Sequence, residues 1–469
     1  MPEIETYEIL VIGSGEAGKY LAWTMAKAGH RAAVVERKLI GGSCPNIACL
    51  PSKNVIHSAK VASLARRGLE FGLETGPIAI DMASVQRRKR LMVDGLVQMH
   101  LGKFKASGAE LIMGAARFIA PRTVEVSLTD GGNRHINGDR VFLNLGTRAA
   151  RPDVPGLAAA QPMTHVEALD LDRLPEHLIV LGGGFVSLEL AQAMRRFGSR
   201  VTVIERGPQI ASHEDPDVTA ALLDLFRDEG IDVRLETHVS QVEGRSGQQI
   251  RVHIQDATGG RVIDGTDLLV ALGRTPNTQG IGLDQAGVGL DENGYIKVND
   301  RLETTAANVW ALGDCAGSPK FTHAAFDDFR VVHTNLVGGQ RTTHNRLVPF
   351  VIFTDPEFAR VGLNESEAKS RGLAYRVVKM PMAGALRTWT LSEPRGFMKM
   401  LISAESDAIL GFMAFGAEAS ELMVAVQIAM LGKLPYTALH EAILTHPTVS
   451  EGLVGLLANV PAQAMQSSS

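Results

Sequence analysis

The sequence predicts an α/β protein with two Rossmann-like dinucleotide-binding units and a separate α+β unit at the C-terminal end. Three observations carry that reading. A strand, Gly-rich loop, helix, strand and acid follow one another near the N-terminus and again around Gly182. At 469 residues the chain is too long for one ordinary core. From about Pro349 the texture changes to strands and helices without a Gly-rich loop.

The first copy opens on Tyr7-Glu8-Ile9-Leu10-Val11-Ile12, a short apolar run that reads as a buried strand. It enters Gly13-Ser14-Gly15-Glu16-Ala17-Gly18, a helix follows over 21–28, and the strand over 30–35 ends on Glu36. In the second copy the run over 178–181 enters Gly182-Gly183-Gly184-Phe185-Val186-Ser187, and after a helix the strand over 200–204 ends on Glu205. The acid follows the first glycine at the same distance in both copies. One Gly-x-Gly-x-x-Gly alone is weak evidence, but two in full context are strong. Gly13 and Gly182 permit the tight turn, and Gly15 and Gly184 let a pyrophosphate approach the backbone. Gly18 lets helix pack on strand, and the helix N-terminus holds the phosphate charge. Ser187 stands where the second copy would have its third glycine. Glu16 puts a negative charge beside a phosphate site and is expected to point outward.

Between the copies, about Ile78 to Asn144 reads as a long polar helix followed by short strands and turns such as Asp130-Gly131-Gly132-Asn133. The basic run Arg87-Arg88-Lys89-Arg90 is short and lacks interleaved aromatics, so it reads as a solvated helix face. A net charge of −4 gives no reason to expect a nucleic-acid or membrane partner. Three cysteines do not make a secreted disulfide framework, and the N-terminus has no basic and apolar leader pattern. The expected compartment is the reducing cytoplasm. The last residues, Met465 to Ser469, read as a frayed tail.

The most informative stretch is Gly41-Gly42-Ser43-Cys44-Pro45-Asn46-Ile47-Ala48-Cys49-Leu50-Pro51-Ser52-Lys53. Two thiols at this spacing close a small disulfide ring if the segment coils. They follow a nucleotide-binding loop, and a disulfide beside an electron carrier is a redox relay. A pair of structural thiols is the bland alternative. A zinc site is a weaker rival, because no partner pair such as Cys-x-x-Cys or His-x-x-x-His is visible, and no metal ligands are assigned. A thiolate near a helix N-terminus has a lowered pKa and is the reactive species.

Taken in order, these motifs resemble those of the FAD-dependent pyridine nucleotide–disulfide oxidoreductases of class I, among them dihydrolipoamide dehydrogenase, glutathione reductase and mercuric reductase. Gly13-x-Gly15-x-x-Gly18 with Glu36 is similar to the FAD-adenosine site, and Cys44 to Cys49 to the redox-active disulfide. Gly182-x-Gly184 with Glu205 is similar to the nicotinamide-nucleotide site. Ala271-Leu272-Gly273-Arg274-Thr275-Pro276-Asn277 resembles the segment that returns the chain to the FAD domain. Trp310-Ala311-Leu312-Gly313-Asp314 resembles the strand whose Asp binds the flavin ribityl chain. Thr445-His446-Pro447-Thr448-Val449-Ser450-Glu451 resembles the C-terminal catalytic signature.

The resemblance implies bounds of 1–150 and 273–346 for the FAD-binding domain, 151–272 for the NAD(P)-binding domain and 347–469 for a C-terminal dimerisation domain. It also implies roles. Cys44 is then the interchange thiol and Cys49 the thiol against the flavin. Lys53 and Glu189 match an ion pair near flavin N5, where a cation stabilises charge on the reduced ring. His446, oriented by Glu451, is the base for thiol–disulfide exchange and reaches the disulfide of the other subunit of an obligate homodimer. Gly42, Ser43, Gly146, Gly273 and Arg274 complete the expected cofactor contacts. Phe185 takes a position where some members carry a gating Tyr, and His323 falls on a segment near the flavin ring. His440 and Cys315 are read as structural.

Glu205 should accept from a ribose 2′-OH and repel a 2′-phosphate, which favours NADH over NADPH, while Arg206 next door would suit a 2′-phosphate. No cysteine follows Cys315, which disfavours true mercuric reductase and high-molecular-weight thioredoxin reductase. A small disulfide or dithiol is the expected substrate, with dihydrolipoamide dehydrogenase the best match. Pro45 and Ala48 are atypical of that enzyme. A mercuric reductase-like or glutathione reductase-like enzyme is the alternative, and a non-catalytic redox-sensing flavoprotein is the reading from another class.

Overall fold

The computed structural model describes residues 3–463. The frayed end expected over Met465 to Ser469 lies outside the described residues.

Strand β1 (Ile4–Ile12) feeds the first glycine loop, helix α1 (Glu16–Lys27) leaves it, and β2 (Ala32–Glu36) lies parallel to β1. All of β2 and the last four residues of β1 are buried, which explains their near-continuous apolar sequence. Three helices follow: α2 (Ser43–Ile47), α3 (Cys49–Arg66) and α4 (Met82–Ser107). Then come β3 (Glu110–Ala120), β4 (Thr123–Leu128), β5 (Asn133–Leu143) and β6 (Thr147–Ala149). The strands of this region are not uniformly short, as β3 and β5 have 11 residues each. Each serves more than one pairing. β3 starts parallel to β2 and continues antiparallel to β4, and β5 pairs antiparallel with β4 and parallel with β1.

The second copy is α5 (His165–Ala168), β7 (His177–Leu181), α6 (Phe185–Phe197), β8 (Arg200–Ile204), α7 (Pro216–Asp228) and β9 (Asp232–Arg234). An antiparallel meander of β10 (His238–Gly244), β11 (Ile250–Asp256) and β12 (Gly259–Gly265) follows. Strand β13 (Asp267–Val270) then completes the parallel order β13-β7-β8-β9. The chain returns through β14 (Arg274–Pro276), which pairs with β6, so exit and re-entry run side by side. Strand β15 (Val309–Ala311) then joins the first sheet beside β5 and leads to α8 (Thr322–Leu336).

The last unit contains β16 (Phe350–Ile352), β17 (Glu357–Gly362), α9 (Glu365–Ser370), β18 (Tyr375–Pro381), α10 (Arg387–Thr390), β19 (Phe397–Ser403) and β20 (Ile409–Gly416). Its strands form one antiparallel sheet, β16-β17-β20-β19-β18. Helices α11 (Ala419–Leu431), α12 (Tyr436–His440) and α13 (Gly452–Leu457) close the chain. Leu422, Met423 and Val426 of α11 pack into a core with Val361 and Phe412 of the sheet. Val424, Ile428 and Leu431 on the opposite side of α11 stay exposed.

The loop before α7 docks on this unit. Asp215 accepts from the backbone N–H groups of Glu365 and Ser366 in the first turn of α9, at 3.1 and 3.2 Å. The buried Lys399 ammonium bridges Asp215 and Asp217 at 2.9 and 2.8 Å. The basic run on α4 is only partly a solvated face. Arg87, Arg88 and Arg90 are exposed, whereas Lys89 is buried and paired with Asp170.

Candidate active site

Cys44 lies in the first turn of α2 and Cys49 opens α3. The helical path breaks between them at Ala48, with φ −132° and ψ −103°. That break brings two thiols of adjacent helices together. Both are free, and they hydrogen-bond to each other. Helix α3 runs on for 18 residues, so its N-terminal partial charge bears on the Cys49 sulfur. Thr322 Oγ1, on the first residue of α8, lies 3.2 Å from Cys49 Sγ. The hydrogen bond from Cys44 pulls Cys49 down to about 6 despite burial, helped by Thr322 and the Lys53 charge. Cys44 moves the other way, because its proton is engaged by Cys49 and because burial and the Cys49 charge oppose ionisation. In the reduced pair the charge therefore sits on Cys49 and the proton on Cys44.

Lys53 follows Cys49 by one helical turn and shares its face of α3. Its ammonium lies 2.7 Å from Glu189 Oε2 on α6 and 4.5 Å from the centroid of the Phe353 ring. Glu189 is buried, and its other oxygen accepts from Phe353 N–H at 2.9 Å. Three distant segments thus hold one cation beside the thiols.

A cavity of about 1410 Å³ joins these groups. Gly13, Gly15, Glu36, Gly42, Ser43 and Gly146 line it toward the first glycine loop. Cys44, Cys49, Lys53, Glu189, Arg274 and Asp314 line it elsewhere. The volume exceeds the roughly 300–1,000 Å³ of ordinary small-molecule pockets and suits an extended dinucleotide. The loop is shaped for close approach. A Cβ on Gly42, where φ is +82°, would stand 2.6 Å from Gly15 Cα, and a Cβ on Gly15 would stand 2.5 Å from Asn144 Oδ1. Gly18 N–H donates to that same Asn144 oxygen at 3.0 Å, tying α1 to the end of β5. Asp314 accepts from Thr147 Oγ1 at 2.6 Å and lies 3.8 Å from Arg274 Nε. These residues fit FAD: an amide-lined loop for its pyrophosphate, and an acid for its ribityl hydroxyls.

The two acids that close the glycine motifs differ. Glu36 already accepts four hydrogen bonds, from Ser14 N–H, Ser14 Oγ and the N–H groups of Lys38 and Leu39, and so pins two loops together. Glu205 accepts two, from Gly183 and Gly207 N–H at 2.6 and 2.7 Å. A carboxylate has about four acceptor positions, so Glu205 keeps two for a ribose diol. Arg206 points to solvent. Gly182 and Gly273 hold positive φ at either side of the second unit, and Gly184 caps α6.

His446 Nδ1 is 2.9 Å from Glu451 Oε2, so the expected pair is formed and Nε2 stays available. The single chain does not bring it to the thiols. His446 is 66% exposed and lies outside the cavity that holds Cys44. His323 lines the cavity and contacts the Pro349 carbonyl through Nε2 at 2.7 Å. Phe185 lines it too, stacked on Phe350 at 5.4 Å between centroids. Cys315 is fully buried, and burial pushes its thiol up to about 12, in keeping with a small core residue.

Glu16 does not point outward. It lines the cavity and pairs at 2.7 Å with Lys19, a buried ammonium that neutralises it beside the phosphate loop. Sequence reading also missed Thr322, Asn144 and Phe353, whose local sequence carries no signal for their contacts. It missed His165, a buried cavity residue that burial and the nearby Arg274 push down to about 4, leaving the ring neutral.

The chain matches the pyridine nucleotide-disulphide oxidoreductase family over residues 7–328 and the dimerisation domain of the same family over 348–456. It belongs to that family. It is 33% identical over 460 residues to the probable pyridine nucleotide-disulfide oxidoreductase RclA of Escherichia coli, covering 97% of this chain and 99% of RclA. It is 34% identical to the dihydrolipoyl dehydrogenase of Thermus scotoductus, covering 96% of each, and 34% identical to the mercuric reductase of Acidithiobacillus ferrooxidans, covering 95% of this chain and 81% of that one. The solved structure of RclA, an HOCl-induced flavoprotein disulfide reductase, superposes with a TM-score of 0.88 at 33% identity over 97% of this chain and all of that one. Its Cu(II) complex superposes with a TM-score of 0.89 at 32% identity over 97% and 99%. The protein is an FAD-dependent, pyridine nucleotide-linked oxidoreductase, and the dimerisation domain supports a homodimer. Among the described residues no helix is long and apolar enough to cross a membrane.

Proposed function

We propose that the protein moves electrons between NADH and a small dithiol or disulfide through the Cys44–Cys49 pair, in the manner of dihydrolipoamide dehydrogenase, in the cytoplasm. The observation that carries this reading is the shared cavity in which a thiol pair of split ionisation meets the Lys53–Glu189 ion pair. On this reading 1–150 and 273–346 hold FAD, 151–272 hold the nicotinamide nucleotide, and 347–469 form the dimer. The return of β15 to the first sheet supports the split FAD domain.

The sulfur chemistry follows from the residues. His446 of the partner subunit takes the proton of one substrate thiol, and the resulting thiolate attacks Cys44 Sγ. The Cys44–Cys49 bond breaks and Cys49 leaves as the thiolate that its surroundings stabilise. The second substrate thiol attacks the first substrate sulfur, displaces Cys44 and gives it its proton. The products are a substrate disulfide, the Cys44 thiol, the Cys49 thiolate and a protonated His446, with two electrons stored on the cysteine pair. Bound FAD supplies two-electron exchange between this pair and the nicotinamide. Lys53 places positive charge where that exchange builds negative charge, and Glu189 with Phe353 keeps it there. Glu205 supports NADH over NADPH, since its two free acceptor positions suit a 2′-hydroxyl and its charge repels a 2′-phosphate.

The test is NAD⁺ reduction by dihydrolipoamide in the wild-type holoenzyme and in Cys44→Ser. Turnover lost in Cys44→Ser with FAD retained supports the relay, and turnover retained there contradicts it. A second reading, a soft metal ion as electron acceptor, is favoured by the likeness to the Cu(II) complex of RclA. It gains if NADH-driven Cu(II) reduction proceeds where dihydrolipoamide gives no reaction.

A further inference from the structure

We infer that Thr322 is a catalytic residue of the thiol pair: its hydroxyl donates to the Cys49 sulfur, keeps the negative charge there and leaves the proton on Cys44. This rests on the reading of Cys44 and Cys49 as the redox pair. The contact is direct, with Thr322 Oγ1 3.2 Å from Cys49 Sγ. Apart from the two sulfurs this hydroxyl has no hydrogen-bond partner among the described residues, so no other group competes for its one proton. Thr322 is also the first residue of α8, a helix of 15 residues. The N-terminal ends of α3 and α8 therefore both meet at Cys49, and two helix dipoles favour its charged form. Cys44 lies within one turn of α2 and has no such helix behind it, since α2 has only five residues.

The consequence is a division of labour between two chemically identical side chains. In thiol–disulfide exchange the sulfur with the lower pKa leaves faster. A hydroxyl that stabilises Cys49 as thiolate makes attack at Cys44 the productive direction. It also keeps Cys44 protonated until a base removes that proton. The hydroxyl reaches both sulfurs, but the adjoining Lys53 charge acts on Cys49.

The experiment compares Thr322→Val, which keeps the shape without the hydroxyl, with Thr322→Ser, which keeps the hydroxyl. Each is studied as the anaerobically reduced holoenzyme, with thiolate absorbance near 240 nm followed against pH. The wild type is expected to show a thiol titrating near 6. Thr322→Val should raise that midpoint by about one to two units, the worth of a hydrogen bond to a charged group, and Thr322→Ser should restore it. Should Val fail to fold or hold FAD, Thr322→Ala removes the same hydroxyl and must give the same rise. A hydroxyl-free variant that binds FAD fully and titrates like the wild type overturns the role of Thr322. A wild type in which no thiol ionises below the ordinary thiol range overturns the redox-pair reading itself, so the two failures are distinguishable.

Discussion

At the scale of single residues, the proposed relay depends on two cysteines made unequal by their surroundings. Cys49 ionises at about 6, while its neighbour is pushed far the other way. The sign of the pH effect follows. In the unfolded chain Cys49 titrates near the ordinary thiol value of about 8.5. Between about 6 and that value the unfolded state binds more protons, so this group stabilises the reduced protein increasingly as pH rises. Its contribution is full above the unfolded value and is lost as pH falls through about 6. Above the unfolded value the raised Cys44 acts in the opposite sense. Melting temperatures of reduced protein should therefore gain on those of oxidised protein between about pH 6 and 8.5, and a constant difference would refute the split ionisation. Lys53→Met should lower dithiol turnover by about 10²-fold, the scale for removing one preorganised electrostatic group, with FAD content unchanged. Steady-state rates alongside the flavin absorbance check this. Cys44, Cys49 and Lys53 were legible because one short segment carries them. Thr322 and Phe353 reach the same place from far along the chain, through packing that no local pattern encodes.

At the scale of elements, the contacts between units carry the unexpected chemistry. Glu214, in the loop that docks α7 on the C-terminal sheet, is buried, and burial outweighs the Arg360 guanidinium 3.1 Å away and pushes it up to about 7. The folded state therefore binds this proton more tightly than the unfolded state does, so the group costs stability as pH rises from the ordinary carboxyl range through about 7. Glu214→Gln should raise the melting temperature more at about pH 8 than at about pH 5. A difference that does not change with pH would contradict the assignment. The repeated strand–loop–helix elements were readable because the apolar runs and glycines obey local rules. The buried Lys89 and Lys19 were not, because each is charged by sequence and buried only through a partner, Asp170 or Glu16, that periodicity does not predict. The length of β3 and β5 was likewise hidden, since one strand serving several sheet partners leaves no mark in composition.

At the scale of the whole molecule, the proposed function makes one chain an incomplete site. His446 and Glu451 form their pair at the surface, away from the thiols, while α11 exposes an apolar face with Ile428 at 61% exposure. Both features fit a dimer in which the histidine completes the partner's site. Ile428→Glu should shift the protein toward monomer in sedimentation and reduce disulfide turnover, while NADH-driven reduction of ferricyanide persists. Loss of both activities together would contradict a histidine supplied across the dimer. The two glycine loops and the change of texture before β16 were legible in the sequence, whereas a site shared between two copies was expected only through the family resemblance, since no pattern within one chain encodes a second copy. The most direct test of the relay is a count of alkylatable thiols. The chain has three cysteines, and Cys315 stands apart from the pair. Oxidised holoenzyme, denatured and alkylated, should show one thiol per chain, and the same protein after anaerobic NADH should show three. A count that NADH leaves unchanged would contradict the Cys44–Cys49 relay.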